Sequence, residues 1–200
     1  MQHLRVLLFL TVLLTSLGVS SAQEVFVNES PGQLATALES RSDLIHMKVS
    51  GALNDADMKA IQNQYNLKTL DLRDASILKG KVGFKEYEAD ELSGVFSYLP
   101  LEELTLPTSL KKIQVKALYG NSFSLKKLIV PCTTPPTCGA DAIKAYSFEN
   151  CTLYVPSRAI DSYRATEPWS SFTNIQIDEA GTPGASTYTI EGDTITLHRG

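Results

Sequence analysis

Cys132, Cys138 and Cys151, spaced C-x5-C-x12-C, are the residues here whose type and clustering most invite chemistry. Thiols this close could hold a metal, supply a nucleophile or be joined as a disulfide. A structural zinc site takes typically four ligands, often in C-x-x-C pairs. No such pair is present, and His46 and His198 are the only imidazoles after the leading apolar segment. A catalytic thiolate needs a base beside it. His46 lies in the alternating stretch "IHMKV", which turns it toward solvent, and His198 sits near the C-terminus. The chain contains no G-x-S-x-G, H-E-x-x-H or phosphate-loop pattern. Glu102 and Glu103 are adjacent in an extended stretch and point to opposite faces, which suits neither a glycosidase pair nor a metal cradle. Asp55 and Asp57 begin like a calcium loop, but the sixth and twelfth places lack the required glycine and glutamate. The expectation is a protein without catalysis, metal or cofactor.

The elements around these residues place them in context. Residues 1–22 read as a secretory signal peptide: Arg5, an apolar run from Val6, then Ser20 and Ala22 before a cut at Gln23. Its removal takes one basic residue and no acidic one, leaving 17 basic against 22 acidic and a net charge of −5. With no basic cluster, nucleic acid is not an expected partner. No later stretch is long and apolar enough for a membrane span. Export predicts a secreted or cell-surface protein, where thiols tend to pair. Three cysteines allow one bridge within the chain at most.

After "EVFVN", an expected edge strand, "SPGQLATALES" predicts a helix capped by Ser30, with Pro31 at its first position and Leu34 and Leu38 facing a core. "IHMKVSG" predicts a strand with Ile45, Met47 and Val49 inward, and "NDADMKAIQNQY" a helix capped by Asn54 with Asp57 three residues on. The template L-x-x-L-x-L then occurs at 67–72, 101–106 and 125–130, and "CTLYVP" at 151–156 matches its second half. Each unit is too short to bury its own leucines, so successive units must stack and share one core. Phe96, Leu118 and Phe148 recur between the units and are expected behind the sheet. "KGKVGFKEYEADELSG" (79–94) is read as a surface excursion. A helix from Ser157, with Ala159, Ile160 and Tyr163 inward, precedes Pro168, Trp169 and Phe172, which are expected to plug the last unit. Trp169 as a ligand-binding aromatic is the sharper alternative. A small-residue linker (180–186) leads to a β-hairpin at 187–200.

Alternation along each template aims the residues between the leucines outward. One column is Thr69, Glu103, Lys127 and Thr152; the next is Asp71, Thr105, Ile129 and Tyr154. This face, with Ile129 and Tyr154 exposed, is the candidate binding surface.

Taken together, "LKTLDLRDASI", "LEELTLPTSLKKIQVKALYGN" and "TTPPTCGADAIKAYSFENCTLYVPSRAIDSYRATEPWSSFTNI" resemble the BspA-type leucine-rich-repeat proteins of Bacteroidetes-like bacteria and some mucosal protists. The resemblance covers roughly residues 30–177. Leu118 and Asn121 depart from it, standing where the family usually carries Phe and Cys. The resemblance implies an α/β fold: a short leucine-rich-repeat solenoid with a parallel sheet face. The solenoid (67–179) would follow a helical N-terminal capping segment (23–66) and end in a capping helix and small hairpin. It also implies a Cys138–Cys151 disulfide, with Cys132–Cys138 the rival pairing, and adhesion to an extracellular protein or glycan rather than turnover. Two other roles remain: a structural subunit of a surface assembly that uses the hairpin for strand addition, and, last, a hydrolase with an unrecognised site. The triplets beginning at Asn28 and Asn150 are N-glycosylation sequons.

Overall fold

The structure is a computed structural model that describes residues 22–82, 85–181, 187–191 and 194–198. The signal-peptide expectation and most of the 180–186 linker lie outside the described residues. In chain order, the first half supplies β1 (Glu24–Asn28), α1 (Gln33–Leu38), β2 (His46–Leu53), α2 (Asp55–Gln62), β3 (Thr69–Asp71) and β4 (Ala75–Ile77). A small hairpin, β5 (Gly80–Val82) and β6 (Lys85–Tyr87), and then β7 (Glu91–Leu92) follow. The second half supplies β8 (Glu103–Thr105), β9 (Lys112–Ile113), β10 (Lys127–Ile129), β11 (Thr137–Cys138), α3 (Ala145–Asn150) and β12 (Thr152–Val155). It closes with α4 (Ile160–Arg164), β13 (Ile175–Ile177) and the strands β14 (Thr187–Glu191) and β15 (Thr194–His198).

Eight of these strands form one sheet in the order β1-β2-β3-β8-β10-β12-β13, with β4 paired to the far end of β2. All its pairings are parallel, and the template leucines stand in register: Met47 beside Leu70, Leu70 beside Leu104, Leu104 beside Leu128, Leu128 beside Leu153. All five are buried. The segment 23–66 therefore contributes its strands to the same sheet as the repeats. A second, three-stranded parallel sheet, β11-β9-β7, runs behind the first. Leu92 and Ile113 of that sheet, with Phe96 and Leu118, are buried in the same core cluster as the leucine stack, and Phe148 packs on it partly exposed. Each fully buried Leu contributes about 2 kcal/mol, so the stack is the main reason strands of three residues persist.

Helix α2 forms as its sequence dictates: the Asn54 side chain accepts from the backbone of Ala56 and Asp57, and Asp57 reaches back to the amide of Asn54. Helix α1 does not begin at Ser30. Gly32 is its N-cap in a left-handed conformation, with no side-chain cap of its own. Its first amides are satisfied from a distance, since Asp57 accepts from Gly32 N at 2.8 Å and Ala35 N at 3.0 Å, and Asn28 Oδ1 accepts from Leu34 N at 2.8 Å. Leu34 and Leu38 do face the core. In the next strand Met47 and Val49 point inward, but Ile45 precedes the strand at a bend and is exposed, its inward place taken by Leu44.

The excursion at 79–94 contains the antiparallel β5–β6 hairpin. Asp55 anchors it by accepting from the Lys81 amide and from the Tyr87 hydroxyl. At the other end, the closing residues plug the core. Trp169 and Tyr163 are fully buried, Trp169 Nε1 donates to the Pro136 carbonyl at 2.9 Å, and Tyr163 Oη donates to the Cys132 carbonyl at 3.0 Å. Trp169 is therefore part of the core and meets no ligand from solvent. β14 and β15 pair antiparallel from Thr187–His198 to Glu191–Thr194, the expected hairpin.

The Cys138–Cys151 bridge is not formed, nor is Cys132–Cys138; all three thiols are free. Each sulfur is turned to a backbone carbonyl of its own: Cys138 Sγ, in β11 of the rear sheet, lies 3.9 Å from the Pro136 carbonyl, and Cys151 Sγ, leading into β12 of the front sheet, 3.6 Å from that of Thr152. Cys132 Sγ is 3.3 Å from the Pro107 carbonyl and 3.4 Å from that of Leu110. Burial pushes all three thiols up to about 12, which keeps them protonated and unreactive at neutral pH.

Candidate functional site

A parallel sheet is ordinarily covered by helices on both faces. Here the face opposite the leucine stack carries polar and half-buried side chains instead, and the two columns expected from the templates stand on it in register. Thr69 pairs with Glu103, Glu103 with Lys127, and Lys127 with Thr152. The column continues at both ends: His46 Nδ1 is 3.0 Å from Thr69 Oγ1, and Asn174 Nδ2 donates to Thr152 Oγ1 at 3.0 Å. The second column runs Lys48, Asp71, Thr105, Ile129, Tyr154, Gln176. With strands about 4.8 Å apart, each six-residue column is roughly 24 Å long.

Between these columns and the strand ends is an open cavity of about 500 Å³, lined by Lys48, Asp71, Arg73, Glu103, Lys127 and Asp178 among others. Its charges balance. Lys127 Nζ is 3.0 Å from Glu103 Oε1, Lys48 Nζ is 3.7 Å from Asp71 Oδ2 and 2.8 Å from Asp74 Oδ2, and Arg73 is 2.7 Å from Asp178. The bond to Asp74, joined by the charge of Asp71, raises Lys48 above the ordinary lysine range despite partial burial. Lys127 also lies over the Tyr154 ring at 5.2 Å. A cavity so paired offers donors and acceptors without net charge, which suits hydroxyl-rich or polar peptide groups better than a polyanion.

Two expectations about the face need correction. Ile129 and Thr105 are 6% and 3% exposed, so neither presents an open apolar patch. The chain past β13 accounts for this: Asp178 and Ala180 line the same cavity as β3, β8 and β10, and the Arg73–Asp178 ion pair fixes that turn over the strand ends. Thr69, Asp71, Glu103, Lys127, Thr152 and Tyr154 remain half-buried and reachable. Sequence reasoning missed Lys48, Arg73 and Asp178. Lys48 follows from extending the register into β2, but nothing in the sequence links Arg73 to a residue 105 positions away. Of the two sequons, Asn150 is exposed, whereas Asn28 is buried with its Nδ2 bound to Ala52 O and Asp57.

Among the described residues, no group of three or more His, Cys, Asp or Glu stands together as metal donors, and no helix is long and apolar enough to cross a membrane. No protein-family model matches this chain, and no curated protein matches it.

Proposed function

We propose that the chain is an exported leucine-rich-repeat binding module: a short solenoid whose open sheet face captures an extracellular protein or glycan by adhesion, without catalysis. The observation that supports this reading best is the in-register leucine stack beneath a sheet face that no helix among the described residues covers. Stacked coils of this kind bury a shared core on one side and free the other for recognition. The predicted signal peptide supports a secreted or cell-surface location, and the resemblance to BspA-type proteins supports adhesion. Thr69, Asp71, Glu103, Lys127, Thr152 and Tyr154 are the contact residues in this reading, with Thr105 and Ile129 beneath them as its floor. An array of glycans and matrix proteins probed with residues 23–200 tests it. Saturable capture of one ligand class, lost in a Lys127→Ala, Tyr154→Ala variant, supports the proposal; capture of none contradicts it.

A second reading, a structural subunit that assembles by adding its C-terminal hairpin to a strand edge of another copy, has one observation in its favour. β13 is an edge strand of the large sheet, and its Gln176 and Ile177 are exposed. Deleting residues 181–200 separates the two readings: ligand capture persists under the first, and self-association disappears under the second.

A further inference from the structure

The return segments that lead into β8, β10 and β12 carry an unusual concentration of exposed rings. Five aromatic side chains stand exposed among the described residues, and four of them, Tyr98, Tyr119, Phe123 and Tyr146, belong to consecutive return segments. Tyr98 is 85% and Phe123 69% exposed. Those segments are bonded side by side. Ser97 Oγ donates to the Ala117 carbonyl at 2.8 Å, and the Leu118 amide donates to the Ala142 carbonyl at 2.9 Å. Gly120 passes so close to Ser97 that a Cβ there would meet the Ser97 carbonyl oxygen at 1.8 Å, so only glycine permits this approach. The rings therefore rest on a backbone platform, and Phe123 and Tyr146 pack with centroids 5.2 Å apart.

The ammonium groups of this cluster sit on its rings, whereas seven lysines elsewhere are held by carboxylates and exposed Lys59 and Lys81 have neither kind of partner among the described residues. Lys48, Lys68, Lys79, Lys111, Lys112, Lys126 and Lys127 are each paired with a carboxylate. Lys116 and Lys144 have no carboxylate partner among the described residues; their ammonium groups lie on rings instead. Lys144 Nζ is 4.5 Å from the Phe123 centroid and 4.7 Å from that of Tyr119, and Lys116 Nζ is 5.8 Å from the Tyr119 centroid. A cation on an aromatic face keeps most of its field free for an anion.

We propose that Tyr98, Tyr119, Phe123 and Tyr146, with Lys116 and Lys144, form a second binding surface for a uronate-bearing polysaccharide. The flat C–H face of a sugar stacks on an exposed ring, while its carboxylate meets an ammonium. Exposed rings in a row favour such a chain over a protein partner, whose anchors need deep apolar pockets. The formal net charge of −4 favours a polymer of sparse charge over a densely sulfated one, which the rest of the surface repels. This surface is separate from the sheet face, so each can fail without the other.

Calorimetric titration of the full chain with hyaluronan oligosaccharides tests it, with neutral dextran and heparin as comparison arms. The expected result is binding to hyaluronan that weakens with salt, no binding to dextran, and no tighter binding to heparin. Phe123→Ala and Lys144→Gln should each lose roughly tenfold in affinity, while Lys59→Gln, which removes one charge from the exposed side of α2, binds as wild type does. Phe123 and Lys144 are not core residues, so melting temperature should be unchanged and loss of fold is excluded directly. Absence of hyaluronan binding, equal binding to dextran, tighter binding to heparin, or unaffected variants would overturn the proposal. So would self-association abolished by Phe123→Ala, which would assign the patch to a second copy of the chain.

Discussion

Asp57 shows how much a single carboxylate can organise. It is fully buried and accepts from Gly32 N, Ala35 N, Asn28 Nδ2 and Asn54 N, so it caps one helix, boxes another and fixes the end of β1. Removing it strands several buried donors, each costing about 1–3 kcal/mol. Asp57→Ala should therefore destabilise the protein by about 3 kcal/mol or more in urea unfolding, against less than about 0.5 kcal/mol for the exposed Glu149→Ala. Asp90 and Glu91 act through their ionisation. Burial opposes their charge, but Lys111 and Ser109 outweigh it for Asp90, and Gln114 and Lys112 do so for Glu91, so both are lowered from ordinary values of 3.8 and 4.5. A lowered folded-state pKa means stability that is complete above those ordinary values and lost as pH falls below them. The urea midpoint should drop between about pH 6 and about pH 3, and drop less in an Asp90→Asn, Glu91→Gln variant. An identical drop in both proteins would exclude these two carboxylates as the cause.

At the scale of elements, strands of three residues survive because their leucines are continuous across five neighbours. Leu104 and Leu128 lie mid-sheet with no exposed surface, so Leu104→Ala should cost about 3 kcal/mol. Thr69→Ala, one strand away on the open face, should cost less than about 1 kcal/mol; equal losses would remove the distinction between core and open face. The front strands, the capping box of α2 and the aromatic plug were legible in the sequence because each rests on a local pattern: alternation, a three-residue cap spacing, a run of large aromatics after a helix. The two-residue rear strands were not, since Leu92 and Ile113 carry no period of their own. The start of α1 was misread because its capping groups, Asp57 and Asn28, come from other elements. The disulfide was carried by family resemblance, and the structure overturns it: all three thiols are free, each turned to a different backbone carbonyl.

For the whole molecule, the features that escaped the sequence are those made by distant segments meeting. The Arg73–Asp178 pair is largely shielded, with side chains 17% and 8% exposed, and holds the turn after β13 against the ends of the central strands. If that turn is what buries Thr105, a Thr105→Cys side chain should react slowly with a maleimide in the otherwise native protein. It should react roughly tenfold faster when Asp178→Asn loosens the turn. The native thiols, buried at Cys132 and Cys151, half-buried at Cys138 and all pushed up to about 12, give a low background that the rate in the unsubstituted protein sets. Equal rates would mean that the face is closed by something other than this ion pair. The same turn lines the cavity, and the columns of the open face are closed at Thr105 and Ile129 and reachable at their other polar members.

The central claim is that ligand is held on the sheet face opposite the leucine stack. Titrating the tightest ligand from the array into the wild-type chain and into a Thr69→Arg, Thr152→Arg variant tests it most directly. Both threonines lie on the same column, either side of the Glu103–Lys127 pair. The account predicts at least roughly tenfold weaker binding, about 1.4 kcal/mol, at an unchanged melting temperature. Equal affinity in the two proteins would contradict it.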